Sequence, residues 1–200
     1  WLMDEAKRKG VQFADIRIIE NEVESIETEN GGVSEVGRYR SVGFGIRVLM
    51  NGSWGFSSSS KIDKYEMEKV LSEAISIAKA SSLAKKEDAV LSPVEIYQDE
   101  VPHNAKIDPF EIPLDKKLSV LLEADKIMAG VNGVKIRRGS MYFMKERKTY
   151  ASIEGAFIVQ DRIESGAGIV SFAISSDGEV QKRSYPNSFG GDFKRAGWEF

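Results

Sequence analysis

The sequence contains no cysteine and a single histidine, His103. Disulfides, thiol chemistry and Cys/His zinc sites are therefore excluded within these 200 residues. A metal motif that needs two histidines is excluded as well, and a catalytic triad could use only His103.

Long apolar runs are also missing. The longest candidate, residues 43–50, is interrupted by Arg47 and is far shorter than the ~20 residues of a transmembrane helix. No basic and apolar stretch near Trp1 resembles a secretory signal, so the sequence predicts a cytoplasmic protein. Because the chain opens without an initiator methionine and closes on Gly-Trp-Glu-Phe, we expect it to be part of a longer protein.

A strong charge of either sign is absent too. The formal net charge is -3, and the 28 basic residues are spread along the chain. Such a chain has no general attraction for phosphate backbones, which argues against nucleic acid as a ligand.

The composition that remains, 42% hydrophobic and 30% charged, is that of a globular protein. Residues 2–9 are predicted to form a helix that ends at Gly10. Residues 14–57 are predicted to form an antiparallel meander, because short β-branched and aromatic stretches alternate with glycine or asparagine. Four of these stretches are residues 16–19, 22–28, 33–39 and 44–50, and Asn51-Gly52 predicts a type I′ hairpin before the arm that carries Trp54 and Phe56.

A second helix is predicted to begin near Asp63, whose carboxylate can cap the first turn, with Glu66 three residues later. One apolar stripe follows at helical spacing and is expected to pack on the sheet: Met67, Val70, Leu71, Ala74, Ile77 and Ala78. Residues 84–113 hold four of the five prolines, and only residues 94–97 resemble a strand there, so we interpret this segment as a connector. Pro113 suits the first turn of a third helix that ends at Gly130.

The second half of the chain resembles the first at a nearly constant offset. Gly43 and Gly45 correspond to Gly166 and Gly168, and the Asn51-Gly52 turn corresponds to Asp177-Gly178. We therefore predict an α+β fold of two repeated helix/antiparallel-sheet units with packed helices, in which residues 10–57 superpose on residues 130–185. The predicted domains are residues 1–83, a connector at 84–113, and a truncated second unit at 114–200, with a closing helix due from Lys194.

Three sequence features have both a functional and a structural interpretation. Gly43-Phe44-Gly45 lacks the third glycine and the following helix of a phosphate loop, so a bulge or a close backbone approach is the stronger prediction. An acidic run could flank a hard cation, but a solvated or edge strand is favoured: Glu20, Glu22, Glu24, Glu27 and Glu29. His103 is predicted to lie in a surface loop.

The candidates for substrate binding are Trp54, Phe56 and Ser57. The hydroxyl and free N–H groups of residues 57–60 could hold a carboxylate or the end of a peptide, although a plain polar loop is favoured. The two aromatic residues are also interpreted more readily as core or interface.

Several segments resemble the TldD/PmbA family, whose members are often labelled modulators of DNA gyrase. They are residues 14–17, 41–48 and 52–57, which resemble its N-terminal region, residues 108–114, which resemble its central connector, and residues 152–155 and 190–200. The Trp-Gly-Phe form of residues 54–56 is closer to the TldD branch than to the PmbA/TldE branch.

This resemblance implies a cytoplasmic zinc metallopeptidase that acts on peptides or unfolded polypeptides, as a homodimer or as a heterodimer with a paralogous chain. The family's zinc motif, His-Glu-x-x-x-His, has no match in the sequence, so no catalytic or metal residue can be carried over and zinc is expected only in the full-length protein. We therefore expect this chain to be the non-catalytic N-terminal part of a TldD-like enzyme, truncated before the metal-binding C-terminal domain. The chain is expected to be inactive by itself and to help form the substrate cavity and the dimer of the full-length protein. The alternative is a binding or assembly module of the PmbA/TldE type.

Overall fold

The structure is a computed structural model that describes residues 1–200. It contains three α-helices, α1 (Leu2–Arg8), α2 (Lys64–Ser82) and α3 (Leu114–Ala129), and a 3-10 turn at Pro109–Glu111. The eight strands are β1 (Phe13–Glu29), β2 (Gly32–Met50), β3 (Ser53–Ser59), β4 (Gln98–Val101), β5 (Val134–Ser152), β6 (Phe157–Ile174), β7 (Val180–Tyr185) and β8 (Asp192–Lys194). The predicted α+β class is confirmed. None of the three helices combines the length and the apolar character that crossing a lipid bilayer requires.

The strands follow the order β3-β2-β1-β5-β6-β4, and β7 and β8 also pair with β6. The chain forms two compact units: unit 1 contains residues 1–21, 41–102 and 146–161, and unit 2 contains residues 22–40, 103–145 and 162–200. Each of the four long strands contributes residues to both units. The units therefore alternate along the chain, whereas the domains predicted from the sequence follow one another. The two divisions differ because strands of 17 to 19 residues, about three times the usual length, are long enough to serve two separate cores.

In unit 1, α1 and α2 cover one face of the sheet. The two-residue turn predicted at Asn51-Gly52 is present, with positive φ at both residues (51° and 69°), and a second one at Asn30-Gly31 joins β1 to β2. The four short strands predicted before residue 50 are in fact two long ones. Alternate residues of β1 and β2 contribute to the unit 1 core together with α2: Ala14, Ile16, Phe44, Ile46, Val48, Val70, Leu71, Ala74, Ile75 and Ala78.

The second helix begins as predicted, because the Asp63 carboxylate accepts a hydrogen bond of 2.8 Å from the Glu66 N–H. Its apolar stripe packs on the sheet, except that Ile77 is exposed and Ile75 is buried in its place. Ile77 is exposed because it lies at the margin of the buried face of α2, which is centred on Leu71 and Ala78. Gly55 of β3 lies directly under this helix, where a Cβ atom would collide with the carbonyl oxygen of Ala74.

The order of elements in the first half of the chain recurs in the second half. One helix, two long strands and one short strand follow each other in α1-β1-β2-β3 and again in α3-β5-β6-β7. The superposition of residues 10–57 on 130–185 stays a prediction. The buried cluster of unit 2 consists of Ile26, Leu121, Met141 and Phe143.

Two predicted elements are wrong. The strand predicted at residues 94–97 lies at β4, residues Gln98–Val101, where pairing with β6 fixes its position. The helix predicted from Lys194 is absent, because Lys194 pairs with Ser165 as the last residue of strand β8. The glycine pairs do allow close approach: the Phe56 ring covers Gly45, and the Phe193 ring covers Gly166.

Candidate functional site

A groove of about 650 Å³ crosses strands β1, β2 and β3 of unit 1. It lies on the face opposite α2, because side chains alternate along a strand and the even-numbered residues of β1 and β2 already face the helix. Its lining is polar at one end and glycine-rich in the middle: Asp15, Arg17, Ile19, Asn21, Ser41, Val42, Gly43, Phe44, Gly45, Arg47, Phe56, Ser58, Ser59 and Ser60.

A buried carboxylate organises the polar end of the groove. Asp15 is only 1% exposed, and its Oδ2 atom accepts hydrogen bonds from Arg47 Nε at 2.9 Å and from Arg47 Nη2 at 2.6 Å. Arg17 Nη2 lies 3.9 Å from the other carboxylate oxygen, Oδ1. A single buried negative charge therefore holds two cations, and the three side chains together carry a net charge of +1.

Aromatic rings hold both guanidinium groups in place. Arg47 Cζ lies 4.7 Å from the centroid of the Trp54 ring, which itself meets Phe13 edge to face. Arg17 Cζ lies 5.4 Å from the centroid of the Tyr150 ring. Cation–π contacts of this kind restrict the arginine side chains without using up their N–H donors.

The same charges act on Tyr150. Burial raises the pKa of the Tyr150 hydroxyl, and the negative charge of Asp15 raises it further, whereas the positive charges of Arg17 and Arg47 oppose the shift. The net pKa lies above its usual value. Tyr150 therefore stays a neutral surface for Arg17 across the physiological pH range.

Unused hydrogen-bonding capacity surrounds this cluster. Arg17 and Arg47 side chains are 47% and 40% exposed, and Arg17 donates no hydrogen bond. The Oδ1 atom of Asn21 is buried in the groove wall without a hydrogen-bond partner. Buried polar atoms are normally paired, so Asn21 is one of the few side chains here with a polar atom that the fold leaves unpaired.

The three residues predicted to bind substrate lie in different places. Phe56 lines the groove and is 58% exposed. Trp54 lies beneath Arg47 and does not line the groove, and Ser57 faces away and donates a hydrogen bond of 2.8 Å to Glu73 of α2. Substrate binding by these three residues stays a prediction. The polar loop predicted at residues 57–60 is instead mostly the end of β3.

Sequence reasoning missed the charged cluster. Asp15 and Arg17 were part of a strand pattern, and Arg47 was noted only because it interrupts an apolar run. The available signal was that all three charges occur inside otherwise apolar stretches, residues 13–19 and 42–50, where an isolated charge needs a partner.

The free edge of β3 borders this groove. Strand β3 ends the strand order, and its register with β2 runs from Met50↔Ser53 to Phe44↔Ser59. The two-residue turn makes Met50 and Ser53 a hydrogen-bonded pair, so the bonded pairs alternate from there. The backbone N–H and C=O groups of Trp54, Phe56 and Ser58 consequently point away from β2.

The acidic run was predicted to lie on a solvated or edge strand. Its members Glu20, Glu27 and Glu29 are exposed, but the strand is not at an edge of the sheet. Strand β1 has neighbours on both sides, and Glu24 is buried in unit 2 against Lys117. Burial raises the pKa of Glu22, but hydrogen bonds from Arg38 and Arg40 outweigh this effect and lower it below its usual value. The carboxylates of Glu22 and Glu24 are therefore neutralised by basic partners on β2 and α3.

No group of three His, Cys, Asp or Glu side chains is positioned to hold a metal ion. His103 lies outside the groove, in unit 2, and its buried Nδ1 atom has no hydrogen-bond partner. The residues of this chain therefore do not fit the metal centre of a metallopeptidase.

Comparison with known proteins identifies similar sequences and folds. Residues 14–78 match the domain described as PmbA/TldA metallopeptidase domain 1. A metalloprotease of Methanocaldococcus jannaschii is 28% identical over 116 residues, which cover 58% of this chain and 26% of that protein. A metalloprotease of Methanothermobacter thermautotrophicus is 28% identical over 177 residues, which cover 88% of this chain and 37% of that protein. This chain thus spans between a quarter and two fifths of the length of these curated relatives.

Two crystal structures share the fold over 98% of this chain. One is a Thermotoga maritima protein described as a candidate modulator of a DNA gyrase, with a TM-score of 0.75 and 18% sequence identity. The other is TldE from Thermococcus kodakarensis, with a TM-score of 0.64 and 12% identity. The aligned part is 42% and 43% of those chains, respectively.

Proposed function

This chain belongs to the PmbA/TldD family, and on that premise we propose that it is the non-catalytic N-terminal part of a TldD-like zinc metallopeptidase that acts on peptides or unfolded polypeptides. In this proposal the chain helps to form the substrate cavity and the dimer. The metal-binding residues belong to the part of the full-length protein outside residues 1–200, and the protein works in the cytoplasm without nucleic acid or membrane partners.

The observation that carries the proposal is the groove of unit 1 with the free edge of β3 beside it. An exposed sheet edge can receive an extended peptide through main-chain hydrogen bonds, and a neighbouring groove can receive its side chains. The outward N–H and C=O groups of Trp54, Phe56 and Ser58 provide the first feature, and the exposed Phe56 ring lies at the border of the second. The metalloprotease names of the relatives support the reaction class.

The alternative is a binding or assembly module of the PmbA/TldE type that takes part in no catalysis. The fold shared with TldE over 98% of the chain supports it. A groove and a free edge serve either function, so the two proposals differ only in the chemistry of the full-length protein.

The experiment compares residues 1–200 with the full-length protein encoded by the same gene. Both are purified identically and incubated with a fluorescently labelled unfolded polypeptide, with and without a zinc chelator. We expect chelator-sensitive cleavage by the full-length protein, recovery after zinc is restored, and no cleavage by residues 1–200. Chelator-sensitive cleavage by residues 1–200 alone would contradict the proposal, and an inert full-length protein would favour the binding module.

A further inference from the structure

We propose that the groove of unit 1 selects extended polypeptide segments that carry an acidic side chain, with Arg17 and Arg47 as the residues that bind the carboxylate. This inference rests on the proposed function only for the statement that the occupant is a polypeptide. The preference for an acidic side chain is argued only from the residues that line the groove.

The first argument is charge complementarity. The groove holds two guanidinium groups against one carboxylate, in a chain whose overall net charge is -3. Asp15 uses two N–H groups of Arg47, at 2.9 and 2.6 Å, and leaves the rest of both guanidinium groups open to solvent. A ligand carboxylate can therefore bind without breaking the buried pair, and charge-assisted hydrogen bonds of this type are the strong ones.

The second argument is that the two arginines are already held in place. The Trp54 ring supports Arg47 and the Tyr150 ring supports Arg17, so a ligand meets side chains that have already lost part of their conformational freedom. Asp15, only 1% exposed, fixes the side on which both guanidinium groups lie. The arrangement is a prepared anion site, and a pair of mobile surface arginines would not have these supports.

The third argument comes from the remaining polar atoms. The hydroxyl groups of Ser41, Ser58 and Ser60 line the same groove, and each can donate and accept a hydrogen bond. A polypeptide supplies both kinds of partner, because each residue has a backbone N–H and a backbone C=O. A small anion would leave these groups unused.

The carboxylate belongs to a side chain in this proposal and not to a chain terminus. A cavity that admits unfolded polypeptides meets internal segments far more often than chain ends. Glutamate and aspartate are then the side chains that the groove binds preferentially.

The test measures binding of residues 1–200 to four short fluorescent peptides by anisotropy. Three are capped at both ends and differ only in a central Glu, Gln or Lys, and the fourth has the central Gln and a free C-terminal carboxylate. We expect the Glu peptide to bind about tenfold more tightly than the Gln peptide, the Lys peptide to bind most weakly, and added salt to reduce the differences.

The key variant is Arg17→Gln, because Arg17 is half exposed and donates no hydrogen bond, so its loss should leave the fold intact. We expect this variant to lose most of the preference for Glu, and Arg17→Lys to keep part of it. The matched control is Arg183→Gln, which removes an exposed arginine of β7 in unit 2 and should bind all peptides like the parent. Circular dichroism melting verifies that each variant is folded.

Equal affinities for Glu and Gln peptides, absence of binding, or an unchanged preference in Arg17→Gln would each overturn the inference. Preferential binding of the peptide with the free terminus would overturn the assignment to a side chain. These outcomes are separate from the cleavage experiment. If the full-length protein shows chelator-sensitive cleavage but residues 1–200 show no charge preference, only the proposed function is supported. If residues 1–200 show a charge preference but the full-length protein is inert, only the selection of acidic side chains by the groove is supported.

Discussion

At the scale of single residues, Lys117 of α3 is as deeply buried as Asp15, at 1% exposure. Its Nζ atom bonds the Glu24 carboxylate and lies 4.8 Å from the centroid of the Phe143 ring. The only other cation near Glu24 is Arg38, with Nη1 3.7 Å from the carboxylate. Removing one member of such a buried pair costs more than removing both.

We therefore expect Lys117→Met to lower the free energy of unfolding by about 3 kcal/mol, because Glu24 would keep a buried charge with only Arg38 nearby. The double variant Lys117→Met/Glu24→Leu should recover most of the loss. Urea denaturation of the parent and both variants measures the effect. A single variant within about 0.5 kcal/mol of the parent would show that the pair is not buried in solution.

Glu199 has the most strongly shifted carboxyl group. Backbone N–H groups of Lys106, Gly197 and Ile107 donate hydrogen bonds to it and lower its pKa to about 2. A carboxyl whose pKa is lower in the folded state stabilises the fold above its unfolded pKa, near 4.3, and loses that contribution as the pH falls through the folded pKa.

Stability should consequently decrease between about pH 4.5 and about pH 2. In Glu199→Gln this part of the pH dependence should be reduced. The measurement is the free energy of unfolding at a series of pH values, with Glu123→Gln as the control, since Glu123 is an exposed residue of α3. Parallel profiles for Glu199→Gln and the parent would contradict the role of these hydrogen bonds.

At the scale of secondary structure elements, the contact between α2 and β3 depends on Gly55. A methyl group at this position would meet the carbonyl oxygen of Ala74 and the N–H nitrogen of Ala78, which are both helix backbone atoms. Neither atom can move without the helix. Any side chain here must therefore displace α2 from the sheet.

We expect Gly55→Ala to lower the free energy of unfolding by about 2–3 kcal/mol, because overpacking a tight contact forces the backbone apart. The control is Gly130→Ala at the end of α3, where φ is -71° and the added methyl group would make ordinary contacts. Chemical denaturation of both variants gives the comparison. Equal free energies of unfolding for the two variants would mean that α2 can move away from β3 without loss of stability.

The elements with local signals were predictable from the sequence. The cap at Asp63, the turn at Asn51-Gly52 and the end of α3 at Gly130 each depend on chemistry within a few residues. The long strands and the groove were not predictable, because they depend on pairing between distant segments. Arg47 and Asp15 are 32 residues apart, and nothing local indicates that they meet.

At the scale of the whole molecule, one part of the sheet edge is open to pairing with another chain. The part of β2 in unit 2, residues 32–40, has no strand beyond it, because β3 pairs only with residues 44–50. Val33, Val36 and Tyr39 are exposed along this segment. An exposed edge with apolar side chains is a site for pairing with another chain, which supports the proposed dimer.

We expect residues 1–200 to self-associate through this edge and Val36→Lys to weaken the association, because a charge on an edge strand opposes pairing. Ile127→Lys, at another exposed apolar position on α3, serves as the control. Light scattering over a range of concentrations measures the mass of each. A parent chain that stays monomeric at high concentration would count against the prediction.

The position of Trp54 under Arg47 gives the groove its own optical signal. The chain has three tryptophans, and the other two, Trp1 and Trp198, lie at the N-terminus and against Phe143 in unit 2. A guanidinium group 4.7 Å from an indole ring influences its excited state, so a ligand that draws Arg47 toward itself changes the emission of Trp54. Intrinsic fluorescence, with Trp1→Phe and Trp198→Phe removing the background, can then follow occupancy of the groove in real time without any label.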